Sequence, residues 1–306
     1  MQNISQYNKE TKDNKNIKNE QSVSENTNIN ELLSSYDGPK DGSEHYGKYD
    51  SQKIKNGFAI QKMPNGDLFK GYFLNDKANG WGIYTNKDGE IFKGEYEEDR
   101  TTGYGEYSNK NGATYYGYWV DDMQFGIGYE IWIDSSTYNG EYNNGKKEGI
   151  GTYIWSDKTI YKGEWNKNNI EGFGIYYYPN GNQYMGEWND NKMNGYGEFI
   201  WADGKKYLGF YKDDKKEGFG IYSWPENRFF IGFWYDNKQN GMGKYIKGNS
   251  IKYGLWKDGK REKWFSNEED FINNMEPDDK RYIFFFKMDV DKLTEYIGIK
   301  ENDEYL

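Results

Sequence analysis

The residues able to do covalent or metal chemistry are few in this chain of 306 residues. It contains no cysteine and one histidine, His45, which excludes thiolate nucleophiles, disulfides, iron–sulfur clusters and cysteine-ligated zinc. One histidine cannot build a two-histidine metal site, although it could act as a single catalytic base. The Asp289-Val-Asp291 start fails the calcium-loop pattern, because Leu293 stands at a ligand position and the central glycine is missing. We therefore predict no enzyme, no metal and no cofactor.

Glycine pairs are the other pattern that could carry chemistry, since glycine-rich loops cradle phosphates. Gly-x-Gly recurs along the chain, but the dinucleotide spacing Gly-x-Gly-x-x-Gly after a buried strand is lacking, and no Gly-x-x-x-x-Gly-Lys-Ser/Thr loop occurs. The sequence pI near 4.9 also disfavours a nucleic-acid partner. We therefore give these glycines a structural role and predict no nucleic-acid binding.

The elements that position these residues must be strands. The 38 glycines argue against helices, because each costs a helix about 1 kcal/mol. The apolar material is aromatic, with 31 Tyr, 17 Phe and 11 Trp, and aromatic residues favour strands. The sequence therefore predicts an all-β fold.

Three markers recur in phase every 23 residues. The first is aromatic–x–Gly–x–aromatic, with its glycine at Gly71, Gly94, Gly117, Gly140, Gly163, Gly186, Gly209 and Gly232. A Gly-x-Gly pair follows each of these glycines nine residues later, from Gly80/Gly82 to Gly241/Gly243. The third is a turn dipeptide such as Asn65-Gly66, for which we predict a hairpin with a type I′ turn.

Strand geometry assigns a role to these markers. Alternate strand residues share a face, so in Phe92-Lys-Gly-Glu-Tyr96 the two rings and Gly94 lie together. We predict that the glycines of each repeat leave room for rings, because only glycine lets a ring lie over the backbone. A single-layer sheet is expected to bury about half of each ring.

These segments resemble a known repeat. Tyr161-Lys-Gly-Glu-Trp165 followed by Glu171-Gly-Phe-Gly174 is similar to MORN (membrane occupation and recognition nexus) repeats, and the resemblance covers roughly residues 45–264. It implies an elongated, twisted, open antiparallel sheet of about nine 23-residue β-hairpin repeats. His45, Ala59 and Lys252 depart from the repeat pattern at the ends of the array.

The segments outside the array differ from it in composition. Residues 1–44 are polar and predicted to be disordered, with Ile29–Leu33 as an alternative docking helix. Residues 265–306 form a short mixed or helical C-terminal segment. The favoured interpretation is that this segment folds back over the open edge of the array, and the alternative is a partner-docking unit.

Local patterns predict the elements of that segment. Ser266-Asn-Glu-Glu269 resembles a capping box that opens a helix ended by Pro277. Tyr282–Phe286 is predicted as an apolar strand or buried segment. Asp289 is predicted to cap a further helix, stopped by Gly298.

The resemblance implies several roles. Such proteins include cytoskeletal and axonemal scaffolds, membrane tethers to which phospholipid binding is attributed, and antiparallel dimers. We therefore predict a non-enzymatic scaffold or spacer that mediates protein–protein interaction in a ciliary (axonemal) or cytoskeletal assembly, with a homodimer as an option. A phosphoinositide or membrane-surface module is the alternative. The N-terminus has no apolar run typical of a signal peptide, so the expected location is the cytoplasm, at the cilium, cytoskeleton or cell cortex.

Two sets of residues are candidates for binding. Partner-binding candidates are the column rings Trp119, Trp165, Trp188 and Trp234, and residues of the opposite face, Trp81, Ile83, Phe173, Ile175, Phe219 and Ile221. The lipid alternative would use basic residues at Lys146, Lys147, Lys205, Lys206, Lys215 and Lys216. The array carries 30 basic and 30 acidic residues, so its neutral charge disfavours an anionic membrane.

Overall fold

The computed structural model describes residues 42–298, which form one open antiparallel sheet of twenty strands and a short helical segment. Each strand pairs with its neighbours in the chain, so the sheet is a meander of hairpins. The strands are β1 Glu44–Tyr49, β2 Lys55–Lys62, β3 Leu68–Leu74, β4 Lys77–Thr85, β5 Ile91–Glu97, β6 Arg100–Ser108, β7 Thr114–Val120, β8 Met123–Ile131, β9 Thr137–Asn143, β10 Lys146–Ile154, β11 Ile160–Asn166, β12 Asn169–Tyr177, β13 Gln183–Asn189, β14 Lys192–Ile200, β15 Lys206–Lys212, β16 Lys215–Trp224, β17 Arg228–Tyr235, β18 Lys238–Lys247, β19 Ser250–Lys257 and β20 Lys260–Trp264. The predicted all-β class and hairpin repeat are confirmed.

The helices all follow the sheet. They are α1 Glu268–Asn273, a 3-10 turn Asp279–Tyr282, α2 Ile283–Lys287 and α3 Val290–Gly298. Within residues 42–298, no helix combines the length and the apolar character needed to cross a bilayer. Residues 1–41 of the predicted disordered tail lie outside the described residues, and so does the alternative helix Ile29–Leu33. Glu44, which the prediction placed at the end of the tail, is the first residue of β1.

Type I′ turns occur in every repeat, but not where the sequence placed them. Between β11 and β12, Lys167 and Asn168 have φ of +50° and +74°, as a type I′ turn requires. At the Asn-Gly dipeptide that ends in Gly181, only the glycine has a positive φ, of +85°. There the Gly181 amide donates to the Tyr178 carbonyl, and the Tyr178 amide donates to the Asn182 carbonyl. This three-residue loop is a type I turn with a bulge, so the predicted type I′ turn is wrong here.

The type I′ turns are tied to the repeat before them by their second residue. Asn168 Oδ1 accepts a hydrogen bond from the Lys147 amide at 2.9 Å, and Asn191 Oδ1 accepts one from the Ile170 amide at 2.8 Å. The same bond recurs at Asp76, Asp99, Asp122, Asp214 and Asn237. Asparagine and aspartate tolerate a positive φ and also supply this acceptor, which explains why glycine is rare at this position.

The ring column, defined as the two rings that flank the repeat glycine in each of eight repeats, fills one face of the sheet. Tyr161 lies over Gly163 and over the opposing Gly174. A Cβ on Gly163 would lie 2.5 Å from the Gly174 Cα and 2.5 Å from Tyr161 Oη, so the predicted nesting of rings over glycine is confirmed at these two positions. The rings also meet edge to face, with centroids 5.4 Å apart for Tyr161 and Trp165.

The rings of this column are buried more deeply than the half of each ring that was expected. No ring of the column is more than 9% exposed. The column consists of Phe69, Phe73, Phe92, Tyr96, Tyr115, Trp119, Tyr138, Tyr142, Tyr161, Trp165, Tyr184, Trp188, Tyr207, Tyr211, Phe230 and Trp234. A single layer reaches such burial because the rings pack edge to face against one another and lie over the glycines of the strands.

The predicted nesting of a ring is wrong for the first glycine of each Gly-x-Gly pair, which lies in a bulge. Gly172 has φ +63° and lies in a bulge of β12, where the register shifts opposite the Gly163–Trp165 stretch. Glu164 Oε1 accepts a hydrogen bond from the Phe173 amide at 2.8 Å. The bulge leaves the Phe173 amide without its regular partner on the neighbouring strand, and the Glu164 side chain accepts its hydrogen bond instead.

The ring column is closed at its N-terminal end by His45. This side chain is 2% exposed, and its ring centroid lies 4.7 Å from Tyr49 and 5.6 Å from Phe73. Burial, aided by the charge of Lys55, lowers the pKa of His45 to about 4. His45 is therefore a neutral ring of the column, and it lacks the solvent access that a catalytic base needs.

The C-terminal segment packs on a face of the sheet. Phe271, Phe286 and Leu293 are fully buried against β16–β19, on the face opposite the ring column. Covering of the open edge by this segment stays a prediction; among residues 42–298 no strand pairs with the outer side of β20. Exposed Lys260 and Arg261 lie in β20, and such charges discourage pairing with another strand.

The helices of that segment differ in part from their predictions. The N-cap of α1 is Asn267, whose side chain accepts from the Asp270 amide at 2.8 Å, one residue beyond the predicted capping serine. Tyr282–Phe286 is a 3-10 turn and helix rather than a strand. Asp289 Oδ1 accepts from the Lys292 amide at 2.8 Å, so the predicted cap of α3 is confirmed.

Candidate functional site: a ladder of half-buried rings

A second line of aromatic side chains runs beside the ring column on the same face, and its members are half-buried. We call it the ring ladder; it consists of Trp132, Tyr153, Trp155, Tyr176, Tyr178, Phe199, Trp201, Tyr222 and Trp224. Consecutive centroids lie 4.4–5.7 Å apart. The ladder therefore presents an unbroken aromatic surface across five repeats.

Strand alternation positions the ladder. Gly151, Tyr153 and Trp155 share a face, because each is two residues from the next in the chain. The second ring of each pair stands directly before the type I turn, at Trp132, Trp155, Tyr178, Trp201 and Trp224. The sequence analysis missed these residues, although their 23-residue spacing was a sufficient signal.

The ladder is confined to part of the array. The position of Trp155 is occupied by Asn86 and Asn109 in two earlier repeats and by Lys247 in a later one. Those repeats form the same strands and turns, so the fold does not need a ring at this position. The repeat fold therefore does not require the five consecutive large rings.

Two lysines point at the ladder. Lys147 Nζ lies 4.8 Å from the Trp132 centroid and 3.8 Å from a carboxylate oxygen of Glu130. Lys216 Nζ lies 5.1 Å from the Trp201 centroid, and burial lowers the pKa of Lys216. No carboxylate of the described chain lies within ion-pair distance of Lys216. It is a cation held by ring faces alone, open to an acidic group on a ligand.

The remaining basic candidates do not form a cluster. Lys205 pairs with Asp203 and Lys215 pairs with Asp236, each at 2.5 Å. Lys146 is exposed in β10, and Lys206 is half-buried at the start of β15. The structure thus divides the six predicted lysines among ion pairs, ring contacts and separate surface positions.

The aromatic candidates are divided in the same way. Trp119, Trp165, Trp188 and Trp234 lie in the ring column at 6–9% exposure, where Trp165 Nε1 donates to the Gly151 carbonyl at 3.2 Å. They hold the repeats together and present no surface to a partner.

On the opposite face, the predicted residues differ in exposure. Trp81 and Phe173 are about half exposed, and Ile83 is half-buried. Ile175 is buried, and Phe219 and Ile221 lie under the C-terminal segment.

A sheet of stacked β-hairpins, each adding two rings and two close-packed glycines to a common column, defines a β-repeat solenoid. The chain belongs to the MORN repeat family: the MORN repeat model matches eight consecutive segments, at 69–91, 92–114, 115–137, 138–160, 161–183, 184–206, 207–227 and 230–250. The resemblance predicted from the sequence is confirmed.

Comparison with solved structures finds remote likenesses. The TCP10 domain of Danio rerio CPAP, in complex with a peptide of Danio rerio STIL, is 10% identical, with a TM-score of 0.43 over 73% of this chain and 100% of that domain. The TCP10c domain of Drosophila melanogaster Sas-4 is 14% identical, with a TM-score of 0.32 over 58% of this chain and 99% of that chain. No curated protein matches the sequence. At these values the likeness carries no argument about function.

Proposed function

We propose that this protein is a non-enzymatic interaction scaffold whose ring ladder binds an extended, proline-rich segment of a partner protein, within a cytoskeletal or ciliary assembly. The observation that carries the proposal is the unbroken ladder from Trp132 to Trp224, at positions where the fold accepts asparagine. MORN repeats point to a protein-interaction scaffold in general, and the ladder identifies a surface for it.

The geometry of the ladder favours the polyproline II conformation. Two strands per repeat advance the sheet by about 9.6 Å. A polyproline II helix advances about 9.3 Å in each turn of three residues. Every third residue of such a segment therefore meets an equivalent pair of rings. Aromatic-lined surfaces are a usual recognition mode for proline-rich segments, whose preformed conformation loses little entropy on binding.

Lys216 adds a charge preference. Its ammonium group faces rings and lies near the C-terminal end of the ladder, beside Trp201. A carboxylate on the ligand would pair with it in a partly dry setting, where ionic hydrogen bonds are stronger than in water. The preferred partner segment thus combines proline at every third position with an acidic residue.

The binding experiment uses a fluorescent dodecapeptide with proline at every third position and one aspartate. The matched control peptide carries glycine in place of each proline. We expect binding of the proline peptide alone, and at least tenfold weaker binding to the double variant Trp155→Asn with Trp201→Asn, which copies the residues found in earlier repeats. Trp81→Thr, on the opposite face, is the matched control and should bind normally.

Two further results test the chemistry. Lys216→Met should weaken binding of the aspartate peptide. Binding of a peptide with asparagine in place of the aspartate should be unchanged. Equal binding of proline and glycine peptides, or full binding by the double variant, would reject the ladder as the site. For the assembly, the tagged chain should remain with the detergent-extracted cytoskeleton, and the double variant should be released; equal extraction of both would count against that location.

A further inference from the structure

The face opposite the ring column contains an aromatic pair that is already covered by a helix. Phe219 and Phe233 stand directly opposite each other on β16 and β17, with ring centroids 5.6 Å apart and planes at 72°. Tyr282 stacks on Phe219 at 4.2 Å with planes 7° apart, and the Phe285 centroid lies 5.3 Å from Phe219. A short helical stretch with rings at positions i and i+3 thus occupies this pair.

An equivalent pair lies five repeats earlier, and no residue between 42 and 298 covers it. Tyr104 and Tyr118 stand opposite each other on β6 and β7, with centroids 5.8 Å apart and planes at 81°. Each is 115 residues before its counterpart, which is five periods of 23 residues. The two rings are 56% and 53% exposed.

The surroundings of the two pairs also correspond. Ile127 takes the place of Met242 and is 58% exposed, and Tyr129 takes the place of Lys244. Lys244 donates to the carbonyls at the end of α2, and the Tyr129 hydroxyl offers a donor at the equivalent position. With exposed Phe125 nearby, these residues form a contiguous apolar patch of the kind that marks an interaction surface.

Charge does not distinguish the two sites' occupants. Residues 92–131 contain eight acidic and three basic side chains, and four of the acids form ion pairs, with Lys77, Lys93, Arg100 and Lys147. The stretch 278–290 that covers Phe219 carries three basic and three acidic side chains. The correspondence between the two sites therefore lies in the paired rings and the apolar residues around them.

We propose that Tyr104, Tyr118 and Ile127 form a docking site for an amphipathic helix of a partner protein, one with aromatic residues at i and i+3. The site lies on the opposite face from the ring ladder, so it is independent of ladder binding. With both sites, one chain joins two partner segments of different chemistry.

The test uses a fluorescent peptide with the sequence of residues 278–290 and the full chain, whose own helix already fills the Phe219 pair. We expect one peptide to bind per chain. The double variant Tyr104→Thr with Tyr118→Thr should weaken binding at least tenfold, and Trp81→Thr should not, because Trp81 faces Glu95 rather than a second ring. A peptide carrying Tyr282→Ser and Phe285→Ser should not bind.

Three outcomes would overturn the proposal. The first is absence of binding by the peptide, and the second is equal binding by the double variant. The third is loss of hydrogen-exchange protection in residues 279–298 on adding peptide, which would mean that the peptide displaces the chain's own helix. The Tyr104/Tyr118 variant should bind the proline-rich peptide normally. A wrong proposal for the helix site can therefore be told apart from a wrong proposal for the ring ladder.

Discussion

Lys244 Nζ donates a hydrogen bond to the carbonyl oxygen of Met288 at 2.7 Å and a second to that of Phe286 at 2.8 Å. Lys244 is 2% exposed, and burial lowers its pKa against the opposing charges of Glu268 and Asp289. These bonds satisfy two carbonyls at the end of α2 that a helix leaves without partners. The lysine thereby fastens the C-terminal segment to β18.

Lys244→Met should loosen that segment while leaving the sheet intact. The loss of two charge-assisted bonds, offset in part by removal of a buried charge, is expected to cost about 3 kcal/mol locally. Trypsin should then cleave faster at Lys280 and Arg281. Exposed Lys247→Met is the control and should not change the cleavage rate. An unchanged rate in both variants would show that apolar packing alone holds the segment.

Gly163→Ala should disrupt the repeats on both sides. Its new Cβ would lie 2.5 Å from the Gly174 Cα, and backbone cannot give way as a flexible side chain can. We expect a cost of about 3 kcal/mol, at the upper end for overpacking. Hydrogen exchange across residues 138–189 measures this loss of stability. Gly89→Asn is the control, since nothing lies within 4 Å of that position and asparagine tolerates its φ of +88°; equal protection in both variants would remove the close-packing argument.

Two substitutions at Asn191 separate its two contributions. Asn191→Gly keeps the positive φ of +65° but loses the bond to the Ile170 amide, with an expected cost of about 1 kcal/mol. Asn191→Ala loses the bond and also strains the backbone, so its cost should reach about 2–3 kcal/mol. Urea unfolding of both variants gives the difference. If the two cost the same, the turn conformation contributes nothing beyond the hydrogen bond.

The first hairpin should lose stability as the pH falls. The pKa of His45 is about 4 in the folded chain, against an ordinary value of 6.5, chiefly because of burial. Between these values the unfolded state binds a proton that the folded state does not, so stability is full above pH 6.5 and declines towards pH 4. The loss should reach about 3 kcal/mol. Hydrogen exchange of residues 44–62 at pH 7.5 and 4.5 measures this loss.

His45→Phe is the matched variant for that experiment, because phenylalanine occupies the same position in other repeats, as at Phe69. Its protection should be nearly independent of pH over the same range. If wild type and variant respond equally to acid, carboxylates and not His45 govern the pH dependence of this hairpin.

Much of the fold was readable from the repeat itself. Rings two residues from a glycine must share its face, and the structure places Tyr161 over Gly163 as that rule requires. The N-cap of α3 at Asp289 was also predictable, because it depends on a few adjacent residues. The ring ladder was also within reach, because Trp155 and Trp201 keep the period.

The sequence by itself determined the hairpin repeat, its period and the face on which the column rings lie, because these follow from local backbone geometry and nearest-neighbour pairing. Tertiary structure alone decided the near-complete burial of the column, the type I′ turn at Asn168 and the placement of Tyr282 on Phe219. These features depend on ring packing between neighbouring repeats, on loop length within the register, and on contacts between residues some sixty positions apart. Packing between residues so far apart depends on the shape and the buried area of both surfaces, and a short sequence pattern does not contain this information.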